Sequence, residues 1–381
     1  MVPQAHLPPG WEVKNIGDIL SLEYGKPLPK EKRTPIGLYP VYGANGIKDR
    51  TNEFYVEEPS IIVGRKGSAG EINYTEEKFW PLDVTYFTKF DKNELNLDFL
   101  FHLLTLLELP KLAKGVKPGI NRNDVYAIKT KIPPLNEQKR IVAKLDECFE
   151  AIHIARANVK KNLNNAKELF QSQLNQIFSQ KGDGWVEKKL GNICERVSVG
   201  HVGKTSEYYC GEDGIPFLRS QNVRKSYLDF ENIRYITKDF HKSLKKSQLY
   251  KGDLLFVRVG ANRGDCCAIK EDYIQLNCAN IVFARPTSGN VKFLEYYCLS
   301  PIGRNRLLGM TTGSAQGVIN TKSVEKLKIT MPTENEQNSI VSSLEDLNEK
   351  TKSLESNYQQ ELNALDELKK SILQKAFNGE L

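Results

Sequence analysis

The sequence contains no long run of apolar residues. No stretch approaches the roughly 18 uncharged apolar positions of a membrane-spanning helix, and the first residues lack the basic and apolar regions of a secretory signal. The seven cysteines include no C-x-x-C pair, which favours free thiols over a disulfide framework. For a chain of 381 residues, 40% of them hydrophobic, we expect a cytoplasmic protein with two or three domains.

Motifs of catalysis are also missing. The five histidines are scattered without H-E-x-x-H spacing, so no zinc site is expected. Adenine methylation needs a Phe-x-Gly-x-Gly loop and an Asn/Asp-Pro-Pro-Tyr/Phe motif, and neither occurs in the sequence. Nuclease signatures of two acids and a lysine are too loose to discriminate in a single sequence. We therefore predict a chain that is not an enzyme and that has no metal or cofactor of its own.

Positive charge is concentrated in one part of the chain. Residues 181–333 contain 24 Lys and Arg against 15 Asp and Glu, a net charge of +9. Residues 1–135 contain 18 against 17, a net charge of +1. The basic segment indicates a polyanionic partner. The nearly neutral segment counts against a protein that binds DNA through its overall charge alone.

The ends of the first half of the chain recur in the second half. Residues 10–19 match residues 184–193 at an offset of 174, and residues 119–145 match residues 318–344 at an offset of 199. The residues between these anchors do not match, and the second copy has gained about 25 of them. A repeat with similar ends and different middles predicts two related domains that carry different surfaces.

Each domain is predicted to mix strands and helices, because short apolar runs alternate with Gly- and Pro-rich turns. The expected strands cover residues 61–63, 85–87, 254–257 and 280–283, and the expected helices cover 97–109 and 291–308, the second broken near Pro301. Cys266, Cys267 and Cys278 lie among apolar residues and are expected in the core.

A long amphipathic helix is predicted after each domain. Apolar residues recur at steps of three and four from Ile141 to residue 177 and from Ile340 to residue 376, with Asn136 and Asn335 as the expected N-caps. One helix cannot bury such a stripe alone, and net charges of +2 over residues 136–180 and −5 over residues 334–381 suit a pair. Parallel and antiparallel pairing are both possible by chain length, and if a pseudo-twofold axis relates the two repeats, the helices must form an antiparallel coiled coil. The predicted helix-pair core is Ile141, Leu145, Ile152, Leu163, Leu344, Leu347, Leu365 and Leu368.

The starts of these helices carry a family resemblance. The pattern Pro133-Pro134-Leu135-Asn136-Glu137-Gln138-(x2)-Ile141-Val142-(x2)-Leu145 and its second copy over residues 332–344 resemble the specificity subunit (HsdS) of type I restriction-modification systems. The last 14 residues resemble that family's usual ending, and the Gly-Trp openings and the turn at residues 39–46 fit its target-recognition domains. The resemblance spans the full chain.

The resemblance implies a fold, a function and partners. The expected fold is mixed α+β, with two target-recognition domains joined by two long antiparallel helices. Each domain would read one half of a bipartite asymmetric site in double-stranded DNA, and the helices would set the spacing and dock two methyltransferase (HsdM) subunits. Nuclease/translocase (HsdR) subunits would join outside, and S-adenosylmethionine, Mg and ATP would bind only to partners. The implied boundaries are 1–135 and 181–333 for the recognition domains, and 136–180 and 334–381 for the helices.

DNA contacts are expected in Gly-rich loops that follow strands, because such loops present polar side chains without steric hindrance. The expected contacts in these loops are Arg65, Lys66, Lys117, Arg258, Asn262, Arg263 and Gln316. A further group of candidates is Tyr42, Asn45, Arg219, Gln221 and Asn222. Asn121 and Asn320 recur at one repeat position, which favours helix caps over readers of different bases. For every candidate the competing interpretation is a solvated turn.

Two other functions remain open on the sequence. The chain is alternatively a coiled-coil scaffold or regulator that binds proteins, with the Gly-rich loops as plain turns. Steeply salt-dependent binding to DNA would separate that function from a recognition subunit. A self-contained methylase or nuclease is the third possibility, and binding of S-adenosylmethionine by the chain alone would identify it.

Overall fold

The computed structural model describes residues 7–180, 182–310 and 317–381. Within these ranges, no helix combines the length and apolarity needed to cross a membrane. The chain forms two units: the first contains the chain up to Lys160 together with Gln360–Leu381, and the second contains Lys161–Gln359. Each unit holds one sheet-rich domain and one end of each of two 45-residue helices.

The first unit contains two sheets and a two-stranded ladder. The elements are β1 (Glu12–Asn15), α1 (Ile16–Ile19), β2 (Ser21–Tyr24), β3 (Tyr39–Gly43), β4 (Gly46–Thr51), β5 (Ser60–Gly64), β6 (Ile72–Thr75), β7 (Trp80–Pro81), β8 (Thr85–Lys89), α2 (Leu97–Leu106), α3 (Arg122–Tyr126), β9 (Lys129–Ile132) and α4 (Leu135–Ser179). Strands β2, β8, β5 and β6 form an antiparallel sheet in that order, and β4, β3 and β7 form a second sheet in which β3 and β7 are parallel.

The second unit repeats this plan with additions. The elements are β10 (Val186–Lys189), β11 (Cys194–Val199), β12 (Tyr209–Cys210), β13 (Ile215–Leu218), β14 (Val223–Arg224), β15 (Tyr227–Leu228), β16 (Arg234–Ile236), α5 (Lys238–Ser243), β17 (Leu254–Val257), β18 (Cys266–Ala268), β19 (Asn277–Cys278), β20 (Ile281–Pro286), α6 (Val291–Leu299), α7 (Pro301–Gly309), α8 (Thr321–Glu325), β21 (Lys328–Met331) and α9 (Glu334–Asn378). Strands β11, β20, β17 and β18 form the equivalent antiparallel sheet, and β12, β16, β13 and β19 form the second sheet.

Burial explains the strands that the sequence predicts. Ile61, Ile62 and Val63 in β5 are completely buried, as are Leu254–Phe256 in β17, the equivalent strand of the second unit. These apolar runs are therefore covered on both faces of the sheet. The predicted helix break is confirmed, because α6 ends at Leu299 and α7 begins at Pro301. The cysteine prediction is confirmed as well: Cys266, Cys267 and Cys278 are buried core residues.

The matching ends of the two halves pair with one another within each domain. Strand β1 pairs with β9, placing Val13 opposite Lys131, and β10 pairs with β21, placing Glu187 opposite Thr330. Glu187 lies 174 positions after Val13, and Thr330 lies 199 positions after Lys131. The two offsets of the sequence repeat therefore belong to the two strands of one ladder, whose register is identical in both domains.

A buried glutamine joins each long helix to its domain. The side chain of Gln138 accepts a hydrogen bond from the Asn96 N–H (2.8 Å) and donates to the Pro133 carbonyl (2.9 Å). Gln337 makes the same two bonds with the Asn290 N–H and the Pro332 carbonyl, each 2.9 Å long. Asn96 and Asn290 are the N-caps of α2 and α6. Because a buried amide needs partners, the repeated Glu-Gln motif fixes the start of each long helix against the cap of a domain helix.

The two long helices are antiparallel in both units. In the first unit, Ile141 and Leu145 near the start of α4 share a hydrophobic cluster with Phe377 at the end of α9, and Arg156 forms an ion pair with Asp366. In the second unit, Phe178 at the end of α4 shares a cluster with Leu344 near the start of α9. The start of each helix thus lies with the end of the other, as the pseudo-twofold repeat predicts.

Two details of the helix prediction are wrong. The helices begin at Leu135 and Glu334, so Asn136 and Asn335 lie inside the first turn and are not the N-caps. Ile141, Leu145, Ile152, Leu163 and Leu344 are buried and Leu347 and Leu365 are partly buried, but Leu368 is 47% exposed. At 100° per residue, Leu368 lies about 120° around the helix from the buried Leu362. Two consecutive steps of three, from Leu362 to Leu365 and from Leu365 to Leu368, each fall about 60° short of a full turn, so together they move the stripe off the buried face.

Candidate nucleic-acid interface

The first candidate loop of the first domain directly follows the buried strand β5. Its backbone closes through a hydrogen bond from the Gly70 N–H to the Gly64 carbonyl (2.7 Å). Two further backbone bonds connect it to the second candidate loop, from the Gly67 N–H to the Pro118 carbonyl (2.9 Å) and from the Ile120 N–H to the Arg65 carbonyl (3.0 Å). The two Gly-rich loops of this domain therefore form one surface, which we call the first loop pair (residues 64–70 and 114–121).

Arg65 and Lys66 have different settings on this surface. The Arg65 guanidinium donates twice to the Asp83 carbonyl (2.7 and 3.0 Å) and lies 5.3 Å from the centre of the Tyr24 ring. The Tyr86 ring lies 5.1 Å from the Tyr24 ring, between ring centres. Burial raises the pKa of Tyr86 to about 12, so its phenol stays neutral. Lys66 and Lys117 are exposed. The first loop pair thus offers one braced guanidinium and two exposed ammonium groups to a ligand.

The loop after β17 repeats this construction in the second domain. The Gly264 N–H donates to the Val257 carbonyl (3.0 Å), and the Ile319 N–H donates to the Arg258 carbonyl (3.2 Å). These bonds match those of Gly70 and Ile120 in the first domain. Asn262 is exposed at the tip of the loop. The part of the second loop that contains Gln316 lies outside the described residues, so its DNA contact stays a prediction from the sequence.

Arginine side chains support the loop after β17 in the second domain. The Arg258 Nε donates to the Ile319 carbonyl (3.2 Å), and the Arg263 guanidinium donates to the Gly317 carbonyl. Arg304 donates to the Arg263 carbonyl (2.8 Å) and forms an ion pair with Asp265 (3.1 Å). Sequence reasoning missed Arg304, because it lies on α7, about 40 residues after the loop that it supports. Its only signal in the sequence is one more cation in a basic segment.

The further group of candidates divides sharply by burial. Tyr42 is buried, with its ring edge against Phe79 at 5.8 Å between ring centres. Asn222 is completely buried, where its side chain accepts from the Arg219 N–H (3.0 Å) and donates to the Asp229 carbonyl (2.8 Å). Burial therefore counts against DNA contact by the side chains of Tyr42 and Asn222, which pack in the core and hold a turn.

The other three members of that group remain accessible. Asn45 lies exposed in the β3–β4 turn, and Gln221 is exposed beside the buried Asn222. Arg219 is partly buried and donates to the Asn232 carbonyl (3.1 Å). Asn121 and Asn320 are the N-caps of α3 and α8, accepting from the Asn123 and Ser323 N–H groups (2.9 Å each). Their interpretation as helix caps is thus confirmed.

The described side chains form no preassembled metal site. No three His, Cys, Asp or Glu residues in the described ranges are arranged to hold a metal ion. All seven cysteines fall within those ranges and are free thiols, and burial raises the pKa of Cys267 to about 12. Such a thiol stays protonated near neutral pH, which makes it a poor nucleophile or metal ligand.

Comparison with known proteins gives a consistent family. A family model described as "Type I restriction modification DNA specificity domain" matches residues 8–165 and 182–364. The chain is 25% identical over 421 residues to the type I restriction enzyme EcoKI specificity subunit of Escherichia coli K12, covering 98% of this chain and 90% of that protein. It is 25% identical over 378 residues to the MjaVIII specificity subunit of Methanocaldococcus jannaschii, covering 90% and 87%.

Solved structures share the fold over the whole chain. A chain from "Structural basis underlying complex assembly and conformational transition of the type I R-M system" superimposes with a TM-score of 0.76 at 21% identity, covering 99% of this chain and 100% of that one. The HsdS subunit from Thermoanaerobacter tengcongensis superimposes with a TM-score of 0.62 at 20% identity, and the match covers all of both chains. At these identities the likeness concerns the fold alone.

Proposed function

The chain belongs to the type I restriction modification DNA specificity domain family, and from this premise we propose that its two domains each read one half of a bipartite asymmetric DNA site. The observation that carries the proposal is the pair of equivalent loops after β5 and β17. Their backbone bonds correspond, but their side chains differ, with Arg65-Lys66 in one loop and Arg258, Asn262 and Arg263 in the other. One scaffold that carries different base-reading groups suits two different half-sites.

The repeated surfaces suit a different task from the loops. Two copies of one partner need two copies of one binding surface, and the repeated sequence lies in the ladders and at the starts of the long helices. We propose that these parts dock two methyltransferase subunits and that the helices set the spacing of the half-sites. Nuclease/translocase subunits then join the complex. Inserting residues into both helices is expected to lengthen the spacer without changing the bases read.

The chain itself acts in this proposal as a recognition subunit and not as a catalyst. S-adenosylmethionine, Mg and ATP are assigned to the partner subunits, where methylation and DNA cleavage take place. The nearly neutral first domain gives little general attraction to phosphate, since exposed charge sets the long-range field. We therefore expect weak DNA binding by the isolated chain and strong, site-specific binding once the methyltransferase subunits are present.

Methylome sequencing of cells with and without this gene tests the function. The expected result is a bipartite motif with two specific halves and an unspecified spacer, methylated only when the gene is present. Duplexes with and without that motif are then compared by gel shift over a range of salt with the assembled complex, since contacts to phosphate weaken steeply with salt. An unchanged methylome together with equal, salt-insensitive binding of both duplexes would instead favour a protein-binding scaffold.

A further inference from the structure

Val116 has the most exposed large hydrophobic side chain in the described part of the chain. It lies at the tip of the second loop of the first loop pair and is fully exposed. Its neighbour in this loop is Lys117, one of the expected DNA contacts. Removing water from a branched apolar side chain lowers the free energy, so a ligand that covered Val116 would be stabilised by that contact.

The loop holds Val116 in this exposed position. Lys114 and Gly119 exchange two backbone hydrogen bonds (2.9 and 3.0 Å), which close a tight loop around Gly115–Pro118. The φ angle of Gly115 is +94°, a conformation that favours glycine. The Lys114 ammonium is anchored to Asp124 at 2.9 Å, and the Gly67 N–H holds the Pro118 carbonyl. A side chain that is positioned before binding loses little conformational entropy on contact.

The charge around Val116 identifies the kind of ligand. The sequence has no Asp or Glu between Glu108 and Asp124, and Asp124 is paired with Lys114. The exposed Lys66 and Lys117 belong to the same loop pair as Val116. Ile274 in the second domain is also fully exposed, but it follows Glu271 and Asp272. The combination of an apolar tip and neighbouring lysines therefore distinguishes Val116 from the equally exposed Ile274. It suits a ligand with an apolar group between phosphates.

We propose that Val116 packs against the 5-methyl group of a thymine in the major groove of the first half-site, while Lys66 and Lys117 contact phosphates. The inference rests on the proposed function and names one of its base contacts. The thymine methyl is the apolar group that base pairs present in the major groove. Side chains that wedge between base steps in the minor groove are usually longer, such as Phe, Leu, Ile or Met. Val116 is short and suits contact with a methyl group.

The test uses the assembled complex with its methyltransferase subunits and a duplex that contains the methylome-derived site. Each thymine of the first half-site, on either strand, is replaced singly by deoxyuridine, which removes only the methyl group. One replacement is expected to weaken binding about fourfold, the effect of removing one buried methyl. Val116→Ala is expected to weaken binding to the thymine duplex by at least as much. The variant complex should bind the deoxyuridine and thymine duplexes equally well.

Ile274→Ala is the matched control, because it shortens an equally exposed apolar side chain in an acidic loop. It should bind both duplexes as the unaltered complex does. The proposal is overturned if no deoxyuridine replacement weakens binding, if Val116→Ala keeps the deoxyuridine effect, or if the half-site has no A·T pair. Loss of methyltransferase association by Val116→Ala, with discrimination unchanged, would identify a protein contact instead. If the unaltered complex shows no site-specific binding, the proposed function itself has failed, whatever Val116 does.

Discussion

The first domain carries a net charge of +1 over residues 1–135 and the second carries +9 over residues 181–333, although both contain the same order of four antiparallel strands. The ladders, the buried glutamines and the bonds that close the Gly-rich loops are also equivalent. The Gly-rich loops do not account for the difference, because residues 64–70 and 114–121 contain four Lys and Arg whereas residues 258–264 and 312–320 contain two. The additional positive charge lies elsewhere in the second domain, including added elements such as α5 and the β14–β15 hairpin. In this chain, charge is a property of the variable surface and not of the shared framework.

The difference in net charge between the two linked domains affects how each would contribute to DNA binding. Once one domain is bound, a linked second domain faces its half-site at a high effective concentration, so it needs less affinity of its own. We expect the basic second domain to supply most of the general attraction to DNA. The first domain then contributes mainly specific contacts, which are less sensitive to salt. The following predictions test the shared framework and the differing loops separately.

Charge in the helix-pair core should have the largest effect, and the same effect at both repeat positions. Leu145→Glu and Leu344→Glu each place a carboxylate at a completely buried site, which is expected to cost about 3–5 kcal/mol of stability and to abolish co-purification with the methyltransferase. Leu368→Glu is the control, because Leu368 is 47% exposed, and a change within about 0.5 kcal/mol is expected. Chemical denaturation measures all three variants, and a fully active complex containing Leu145→Glu would contradict the helix pairing.

Removal of arginines from the second domain should weaken DNA binding more than removal of lysines from the first. Arg258→Ala with Arg263→Ala is expected to weaken binding by about 1–3 kcal/mol for each base that these side chains read. Lys66→Ala with Lys117→Ala should instead reduce the salt dependence, by about one unit of slope for each phosphate that is no longer neutralised. Fluorescence anisotropy on the assembled complex at several salt concentrations separates the two effects. Lys350→Ala, on α9, serves as a control, and an unchanged affinity in the arginine variant would remove those residues from the interface.

The buried glutamines should matter in both halves, and more in the first. Gln138→Met leaves the Asn96 N–H and the carbonyls of Pro133 and Glu94 without their partner, at an expected cost of about 1–3 kcal/mol. Gln337→Met removes the bonds to Asn290 and Pro332 and should cost somewhat less. Urea denaturation measures the free energy of unfolding, with the exposed Gln171→Met as the control. Equal stability of all three variants would show that the motif does not anchor the helix starts.

Tyr42→Phe should have the smallest effect. Tyr42 pairs with Pro81 in a parallel ladder, and the residue in the equivalent place, Leu218 opposite Cys278, is completely buried. We therefore expect that the phenol oxygen makes no DNA contact and that DNA affinity changes by less than about 0.5 kcal/mol. A tenfold loss of affinity in a gel shift, with unchanged thermal stability, would return Tyr42 to the interface.

Sequence reasoning succeeded where repetition or strict periodicity constrains the chain. The offsets of 174 and 199 identify two domains, and they correspond to the two strands of each ladder. The apolar stripes identify the long helices, because a 3.6-residue period leaves few alternatives over 45 residues. The recurrence of Asn121 as Asn320 identified both as helix caps. In each case the same structural feature occurs twice in the chain, so its sequence pattern recurs.

Reasoning failed where the role of a residue depends on contacts distant in sequence. Tyr42 and Asn222 resemble groove readers in composition but are buried, and Arg304 braces a loop that a linear pattern cannot associate with it. The common sheet order of the two domains is likewise invisible in their unmatched middle sequences, because many apolar sets can fill one backbone framework. Local patterns thus established the repeat, the helices and the family. Which side chains face a ligand depends on packing between strands far apart in the chain, where burial and not residue type selects what is left at the surface.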